Sequence, residues 1–205
     1  MNELNAQDRA ACANAARRQN FYVFMCDAFG VLHPGAELAE DSYLEALCFQ
    51  LQEAAHEDKG RLIVTLPPRY LKSVAASIVL PAWLLGRDGA TKVMVASYAE
   101  ALAKDHARQF RQLVKSGFYK SVFPGATVPP RVDKANEYTT AEGGGRRAVT
   151  EGGSVTGIGC DLMIIDDIIK ASDARSDVNR ERVRQFFDNT LYSRLNDKQT
   201  GSIIV

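Results

Sequence analysis

Lys72 and Ser73 are adjacent residues whose types and placement suit chemistry on a phosphorylated ligand. They follow a short apolar run, residues 62–66, and two prolines, and they open a stretch compatible with a helix. Strand, tight loop, Lys-Ser and helix is the layout of a phosphate-binding P-loop. There the loop amides and the helix N-terminus face an anion, the lysine reaches the terminal phosphates, and the serine hydroxyl ligates Mg²⁺. The sequence therefore predicts a nucleotide site that contains Pro68, Arg69, Tyr70, Leu71, Lys72 and Ser73.

Two positions depart from the usual pattern of such a loop, G-x-x-x-x-G-K-[ST]. Leu66 and Leu71 occupy the two glycine slots. Glycine normally stands there because it adopts positive φ and lets the backbone approach the phosphates. The match is therefore partial, and the alternative is a proline-containing strand end followed by an ordinary exposed lysine.

A second chemical signal lies at Asp166 and Asp167, which follow four apolar residues, 162–165. This pattern predicts a buried parallel strand with acid groups at its carboxyl end, where open α/β sheets bind ligands. It matches a Walker B strand, in which the first aspartate holds the Mg²⁺ of the nucleotide. The second carboxylate can orient or deprotonate the attacking water. An acidic turn is the alternative, but the pairing with Lys72 and Ser73 favours nucleotide hydrolysis.

The elements that must position these residues alternate between strand and helix. We expect the run at 62–66 to be a strand buried on both faces. Ser42 with Glu45 fits a capping box, and Gly86 is the expected end of the helix that follows Ser73. Periodicity predicts helices over residues 2–18, 42–55, 73–85, 99–115 and from 176 onward, and strands over residues 92–97, 137–140, 146–150 and 202–205. This order predicts βαβ units and a parallel sheet.

Composition narrows the class of protein. A chain of 205 residues with 46% apolar residues can bury the core of one domain. Lys+Arg and Asp+Glu are equal at 25 each, so net charge does not indicate a nucleic-acid binder. The four cysteines are widely spaced, which indicates reduced thiols rather than disulfides or zinc. No apolar run is long enough for a membrane span, so we expect a soluble, intracellular protein without membrane contacts.

Four further features have two interpretations each. The aromatic cluster at residues 21–29 is core lining or, alternatively, a shelf for a nucleotide base. His106 is expected to be a satisfied, partly buried histidine rather than a ligand. The glycine-rich loop at 152–159, which carries Thr156, is a binding loop or a surface connection. The arginines that follow Ser176 are expected to be solvated and balanced by nearby acids, with a DNA-facing role as the alternative.

From residue 21 to residue 205, a series of motifs resembles one family. The motifs are Leu-Pro-Pro-Arg-Tyr-Leu-Lys-Ser (66–73), Pro-Ala-Trp-Leu-Leu-Gly (81–86), Val-Ala-Ser-Tyr (95–98), Gly-Gly-Arg (144–146), Thr-Gly (156–157), Ile-Ile-Asp-Asp (164–167) and Ser-Arg-Leu (193–195). In this order they resemble the large terminase subunit of tailed bacteriophages, the ATP-driven DNA-packaging motor. Leu71 replaces the glycine of most relatives, and Asp167 stands where many motor ATPases have glutamate.

The resemblance implies an additional-strand (ASCE) P-loop NTPase fold, with a helical and aromatic lead-in at 1–35 and the ATPase domain at 36–205. It implies that the strand at 202–205 lies between the strands that carry the Lys-Ser loop and the aspartate pair. It also implies ATP and Mg²⁺ as cofactors, a homo-oligomeric ring on the procapsid in the host cytoplasm, and as partners double-stranded DNA, the small terminase subunit and the portal protein. The chain ends inside a predicted strand, so we expect a truncated product without the nuclease domain and the coupling residue.

The resulting mechanism gives each residue a role. Lys72 and the loop amides hold the phosphates, Ser73 and Asp166 hold Mg²⁺, and Asp167 positions the water. Arg69 is the first candidate for the arginine that acts on transition-state charge, with a purely structural partner for its side chain as the alternative. Arg146 or Arg147, reaching a neighbouring subunit, is the second candidate. The rival functions are a helicase-like DNA-dependent ATPase and a remnant that binds nucleotide or partners without activity.

Overall fold

A computed structural model describes residues 5–39, 41–56, 60–153, 159–170 and 172–205. Its helices are α1 (Ala6–Gln19), α2 (Phe21–Leu32), α3 (Ser42–His56), α4 (Leu80–Arg87), α5 (Glu100–Lys115), α6 (Gly117–Val122) and α7 (Asp177–Phe186). Its strands are β1 (Arg61–Leu62), β2 (Lys92–Ser97), β3 (Val132–Asp133), β4 (Glu137–Thr139), β5 (Gly145–Thr150), β6 (Leu162–Ile165) and β7 (Ser202–Ile204). Two π-helical segments, Val74–Val79 and Phe187–Leu191, and two 3₁₀ turns, Pro124–Thr127 and Tyr192–Arg194, complete the elements.

The seven strands form one sheet in the order β1-β7-β6-β2-β5-β4-β3. The first five strands in this order pair in parallel, and β4 and β3 extend the sheet in antiparallel pairing. The chain is therefore an α/β protein with a mostly parallel sheet flanked by helices, as the alternation of elements predicts. The last strand, β7, lies between β1 and β6, which is the placement that the resemblance implies for it.

Alternate residues of β2 face two apolar layers because successive side chains of a strand point to opposite faces. Val93 and Val95 pack into the larger layer, together with buried residues of α2, α3, α4 and α5. Met94 and Ala96 pack on the other face, where Leu191 and Leu195 of the C-terminal region cover the sheet. The sheet centre is thus buried on both faces, as parallel strands require.

The prediction that residues 62–66 form a strand buried on both faces is wrong. Only Arg61–Leu62 form ladder pairs, and the side chain of Ile63 is 75% exposed. Leu62, Val64 and Leu66 pack against the larger apolar layer. The physical reason is position: β1 is an edge strand, and the apolar layer covers one of its faces.

The helix after Ser73 differs from its prediction in two ways. Residues 74–79 form a π-helical segment, and the α-helix that follows ends at Arg87. Gly86, the predicted end, lies inside this helix. A Cβ atom there would stand 2.4 Å from the Phe123 ring, so Gly86 serves packing rather than termination.

Other predicted elements agree with the structure to within a few residues. The strand over residues 92–97 and the helix over residues 99–115 correspond to β2 and α5. Ser176 accepts a hydrogen bond from the Asn179 amide and caps α7, the helix predicted from residue 176 onward. Helix α3 itself begins at Ser42, so the predicted capping role of Ser42 is not observed.

The aromatic cluster of α2 lines the core. Phe21 and Phe24 have no exposed surface, so the alternative of a nucleotide-base shelf is wrong. Thr156 and Gly157 of the glycine-rich loop lie outside the described residues. No helix in the described ranges has the length and apolar character needed to cross a membrane.

Candidate functional site

The loop of residues 66–73, called the Lys-Ser loop below, connects the edge strand β1 to the π-helical segment. Leu71, which stands in a glycine slot, has φ +55°, and Arg69 has φ +71°. A non-glycine residue in this left-handed region is strained by about 1–2 kcal/mol. Leu71 therefore adopts the backbone conformation for which glycine is usually chosen, and its side chain packs against the larger apolar layer. Leu66, in the other glycine slot, does not adopt a positive φ.

The Lys-Ser loop lines a cleft of about 360 Å³. Lys72 and Ser73 are the first helical residues, and the amides of a first helical turn lack intrahelical partners and attract anions. The predicted nucleotide contacts, residues 68–73, all line this cleft, and Asp167 also lines it. Tyr70 is partly exposed and packs edge-on against Tyr43, with ring centroids 5.0 Å apart.

Asp166 lies directly after β6 and is 6% exposed. Its Oδ1 accepts a hydrogen bond of 3.0 Å from the Ser73 hydroxyl, which joins the two predicted Mg²⁺ ligands across 93 residues of sequence. Adjacent ligands of an octahedral Mg²⁺ ion, each about 2.1 Å from the metal, lie about 3 Å apart. The two oxygens therefore have the chemistry and the spacing that the ion requires.

The second oxygen of Asp166 is held by a residue that sequence reasoning missed. The Ser77 hydroxyl donates a hydrogen bond of 2.7 Å to Oδ2. Ser73 and Ser77 are four residues apart on one helical segment, so both hydroxyls point to the same side. The i, i+4 spacing of Ser73 and Ser77 is visible in the sequence and indicates that both hydroxyls lie on one side of a helix. It does not identify Asp166 as their shared partner.

Arg146, on β5, contacts the same segment from the other side. Its Nε and one terminal nitrogen each donate a hydrogen bond of 3.1 Å to the Ser77 carbonyl oxygen. The guanidinium is buried, and this burial lowers its pKa to about 9, with Asp166 acting in the opposite direction. Arg146 remains charged at neutral pH. The prediction that Arg146 reaches a neighbouring subunit is wrong, because only 2% of the residue is exposed.

His106, on α5, is 5% exposed, and its Nδ1 lies 3.7 Å from Oδ2 of Asp166. This separation is too long for a hydrogen bond. Burial lowers the pKa of His106, although the Asp166 carboxylate opposes the shift, so the imidazole is neutral near pH 7. Its Nδ1 has no hydrogen-bond partner among the described residues, which contradicts the prediction of a satisfied histidine.

The two predicted catalytic residues both face the cleft of the Lys-Ser loop. Asp167 has φ +48°, its carbonyl accepts a hydrogen bond from the Tyr98 amide, and its side chain is exposed. Arg69 is exposed and has no ion-pair or hydrogen-bond partner within the described ranges, so the structural alternative for its side chain is not observed. Arg147 pairs with Glu137 on the neighbouring strand.

A second cavity, of about 460 Å³, lies at the amino ends of the strands β2, β6 and β7. Its carboxylates Asp88, Asp161 and Asp197 accept hydrogen bonds from backbone amides of nearby turns and strands. Because these three carboxylates are already hydrogen-bonded to backbone amides, they are less available to bind a ligand. The cleft of the Lys-Ser loop is therefore the better candidate site.

A comparison with protein-family models finds no family that matches the sequence, and a comparison with curated proteins finds no match either. The class of protein that the described residues define is an α/β protein with a seven-stranded, mostly parallel sheet.

Proposed function

We propose that the chain is a P-loop nucleotide hydrolase that acts on ATP. The observation that carries the proposal is the 3.0 Å hydrogen bond between the Ser73 hydroxyl and Asp166. Two residues chosen from separate sequence motifs as ligands of one ion are in direct contact. The alternative interpretation, a strand end followed by an ordinary exposed lysine, does not explain that contact.

Each residue of the candidate site has a proposed task. Lys72 and the loop amides bind the phosphates, and Ser73 and Asp166 would hold Mg²⁺. The bound ion supplies neutralisation of the charge that develops on the phosphates. Asp167 orients the attacking water and accepts its proton. Arg69, whose side chain is unpaired among the described residues and lines the cleft, approaches the transition-state charge from the loop.

The strand order supports an additional-strand arrangement of the P-loop fold. One strand, β7, separates β1, which leads into the Lys-Ser loop, from β6, which leads into Asp166. The loop that follows β1 and the loop that follows β6 are therefore separated by the width of one strand. Their side chains are nevertheless in contact, because Ser73 donates a hydrogen bond to Asp166.

The finer proposal is the ATPase motor domain of a large terminase subunit. It rests on the ordered motif series. Leu71 supports it, because this residue adopts the left-handed backbone conformation for which the usual P-loop pattern has glycine at this position. In this role ATP hydrolysis drives double-stranded DNA into a procapsid, with the small terminase subunit, the portal protein and further copies of the chain as partners.

The test is ATP hydrolysis, measured as phosphate release, by the unaltered chain and by Lys72→Ala. The expected result is loss of turnover in Lys72→Ala and unchanged turnover in Lys120→Ala, which removes an exposed lysine of α6. Undiminished turnover in Lys72→Ala would overturn the proposal. Stimulation by double-stranded more than by single-stranded DNA supports the terminase role, and the reverse order supports a helicase-like one.

A further inference from the structure

We infer that Ser77 is a positioning residue that orients Asp166 for metal binding, an inference that rests on the proposed nucleotide site. Ser77 lies outside the Lys-Ser loop and does not line its cleft. Its role would be to fix the carboxylate that Ser73 and the ion share.

The two oxygens of Asp166 are divided between two serines. Oδ2 accepts the Ser77 hydroxyl at 2.7 Å, and Oδ1 faces the Ser73 hydroxyl at 3.0 Å. With Oδ2 occupied, the carboxylate plane is set and Oδ1 faces Ser73, which lines the cleft. Among the described residues, Ser77 alone donates to Oδ2, since His106 stands 3.7 Å away.

The position of Ser77 is itself set by two features. Pro81, four residues later, has no amide hydrogen, and its ring excludes the usual helical contact with the Ser77 carbonyl. Ser77 itself lies in the π-helical segment Val74–Val79, which precedes Pro81. The Arg146 guanidinium then satisfies the released carbonyl with two hydrogen bonds. Strand β5 thereby anchors the turn of helix from which the Ser77 hydroxyl reaches Asp166.

Partners behind a metal ligand typically change metal affinity by about 10–100-fold when they are removed. We expect Ser77→Ala to leave ATP affinity without Mg²⁺ within about 2-fold of the unaltered chain, because Lys72 and the loop amides are intact. The gain in ATP affinity on adding Mg²⁺ should fall by about 10-fold or more.

The experiment titrates a fluorescent ATP analogue into each protein, once with EDTA and once with Mg²⁺. Ser97→Ala is the matched control, because Ser97 is a fully buried serine of β2 whose hydroxyl has no partner in the described structure. Ser77→Cys, which keeps nearly the same size but donates weakly, should show the same loss as Ser77→Ala. It provides the measurement if the alanine variant is poorly folded.

The outcomes separate this inference from the proposed function. If the unaltered chain binds the analogue with a Mg²⁺-linked gain that Ser77→Ala and Ser77→Cys both retain, Ser77 does not position Asp166 and the inference alone fails. If the unaltered chain does not bind the analogue, the proposed function fails and the inference with it. A loss confined to the two Ser77 variants supports both.

Discussion

The carbonyl oxygen of Ser77 accepts two hydrogen bonds from the buried guanidinium of Arg146, each 3.1 Å long. Four residues further on, Pro81 prevents the ordinary helical partner from forming. A tertiary contact thus supplies hydrogen bonds to a backbone carbonyl whose ordinary i+4 donor is missing. It also connects the helix of the candidate site to β5, on the far side of β2 from the strand that carries Asp166.

Replacing Arg146 with alanine should lower the free energy of unfolding by about 3 kcal/mol, because it leaves a buried carbonyl unsatisfied and empties a packed volume. The neighbouring change Arg147→Ala removes a partly exposed ion pair with Glu137 and should lower it by less than about 1 kcal/mol. Urea unfolding followed by circular dichroism measures both values. Equal losses in the two variants would show that the Ser77 contact contributes nothing special.

The strained backbone at Leu71 predicts an unusual order of stability. Leu71→Ala and Leu71→Gly lose the same apolar packing, but only glycine relieves the positive φ. The glycine variant should therefore be about 1 kcal/mol more stable than the alanine variant, as judged by denaturant midpoints and slopes.

The control for this prediction is the same pair of changes at Gln109, a half-buried residue in the middle of α5. In a helix interior glycine is about 1 kcal/mol less favourable than alanine, so the order of stability reverses. An alanine variant at position 71 that equals or exceeds the glycine variant would mean that Leu71 is not strained in solution.

Asp167 should be needed for ATP hydrolysis but not for nucleotide binding. We expect Asp167→Asn to keep ATP affinity within a few-fold and to lose hydrolysis, because the amide retains the shape but cannot accept a proton. Phosphate release and nucleotide titration are measured on the same preparation. A parallel loss of affinity would reassign Asp167 to phosphate or metal binding.

The cysteines should differ sharply in reactivity. Cys12 is exposed, whereas burial raises the pKa of Cys48 and of Cys160 to about 12. Because the thiolate is the reactive form, iodoacetamide at pH 8 should label Cys12 quickly and leave the two buried thiols unmodified until the chain unfolds. Mass spectrometry of the labelled peptides checks this, and rapid modification of Cys160 would contradict the packing of residues 191–195 over β6.

Sequence reasoning succeeded where the signal is local. The apolar run of β2 and the 3.6-residue periodicity of α5 gave nearly correct bounds, since both elements lie where burial follows directly from pattern. The Lys-Ser loop and the aspartate pair were also singled out as a candidate site from local spacing. The structure brings these two segments into contact through Ser73 and Asp166, at the carboxyl ends of the parallel strands.

The failures have long-range causes. The exposure of Ile63 depends on which strand lies at the sheet edge, and the apolar pattern of β1 does not contain that information. The partnership of Ser77 with Arg146, which are 69 residues apart, depends on strand order and on the interruption at Pro81. His106 was expected to be partly buried, and it is 5% exposed, but its proximity to Asp166 emerges only from the assembled sheet.

Equilibrium binding of ATP and of AMP, each with Mg²⁺, tests the central claim most directly, because the Lys-Ser loop is proposed to hold the terminal phosphates. Charge-assisted hydrogen bonds contribute about 1.5–3 kcal/mol each, so ATP should bind about 100-fold more tightly than AMP. Lys72→Ala should remove most of that difference by weakening ATP alone. Equal affinities of the unaltered chain for ATP and AMP, or a difference that survives in Lys72→Ala, would contradict a triphosphate site at this loop.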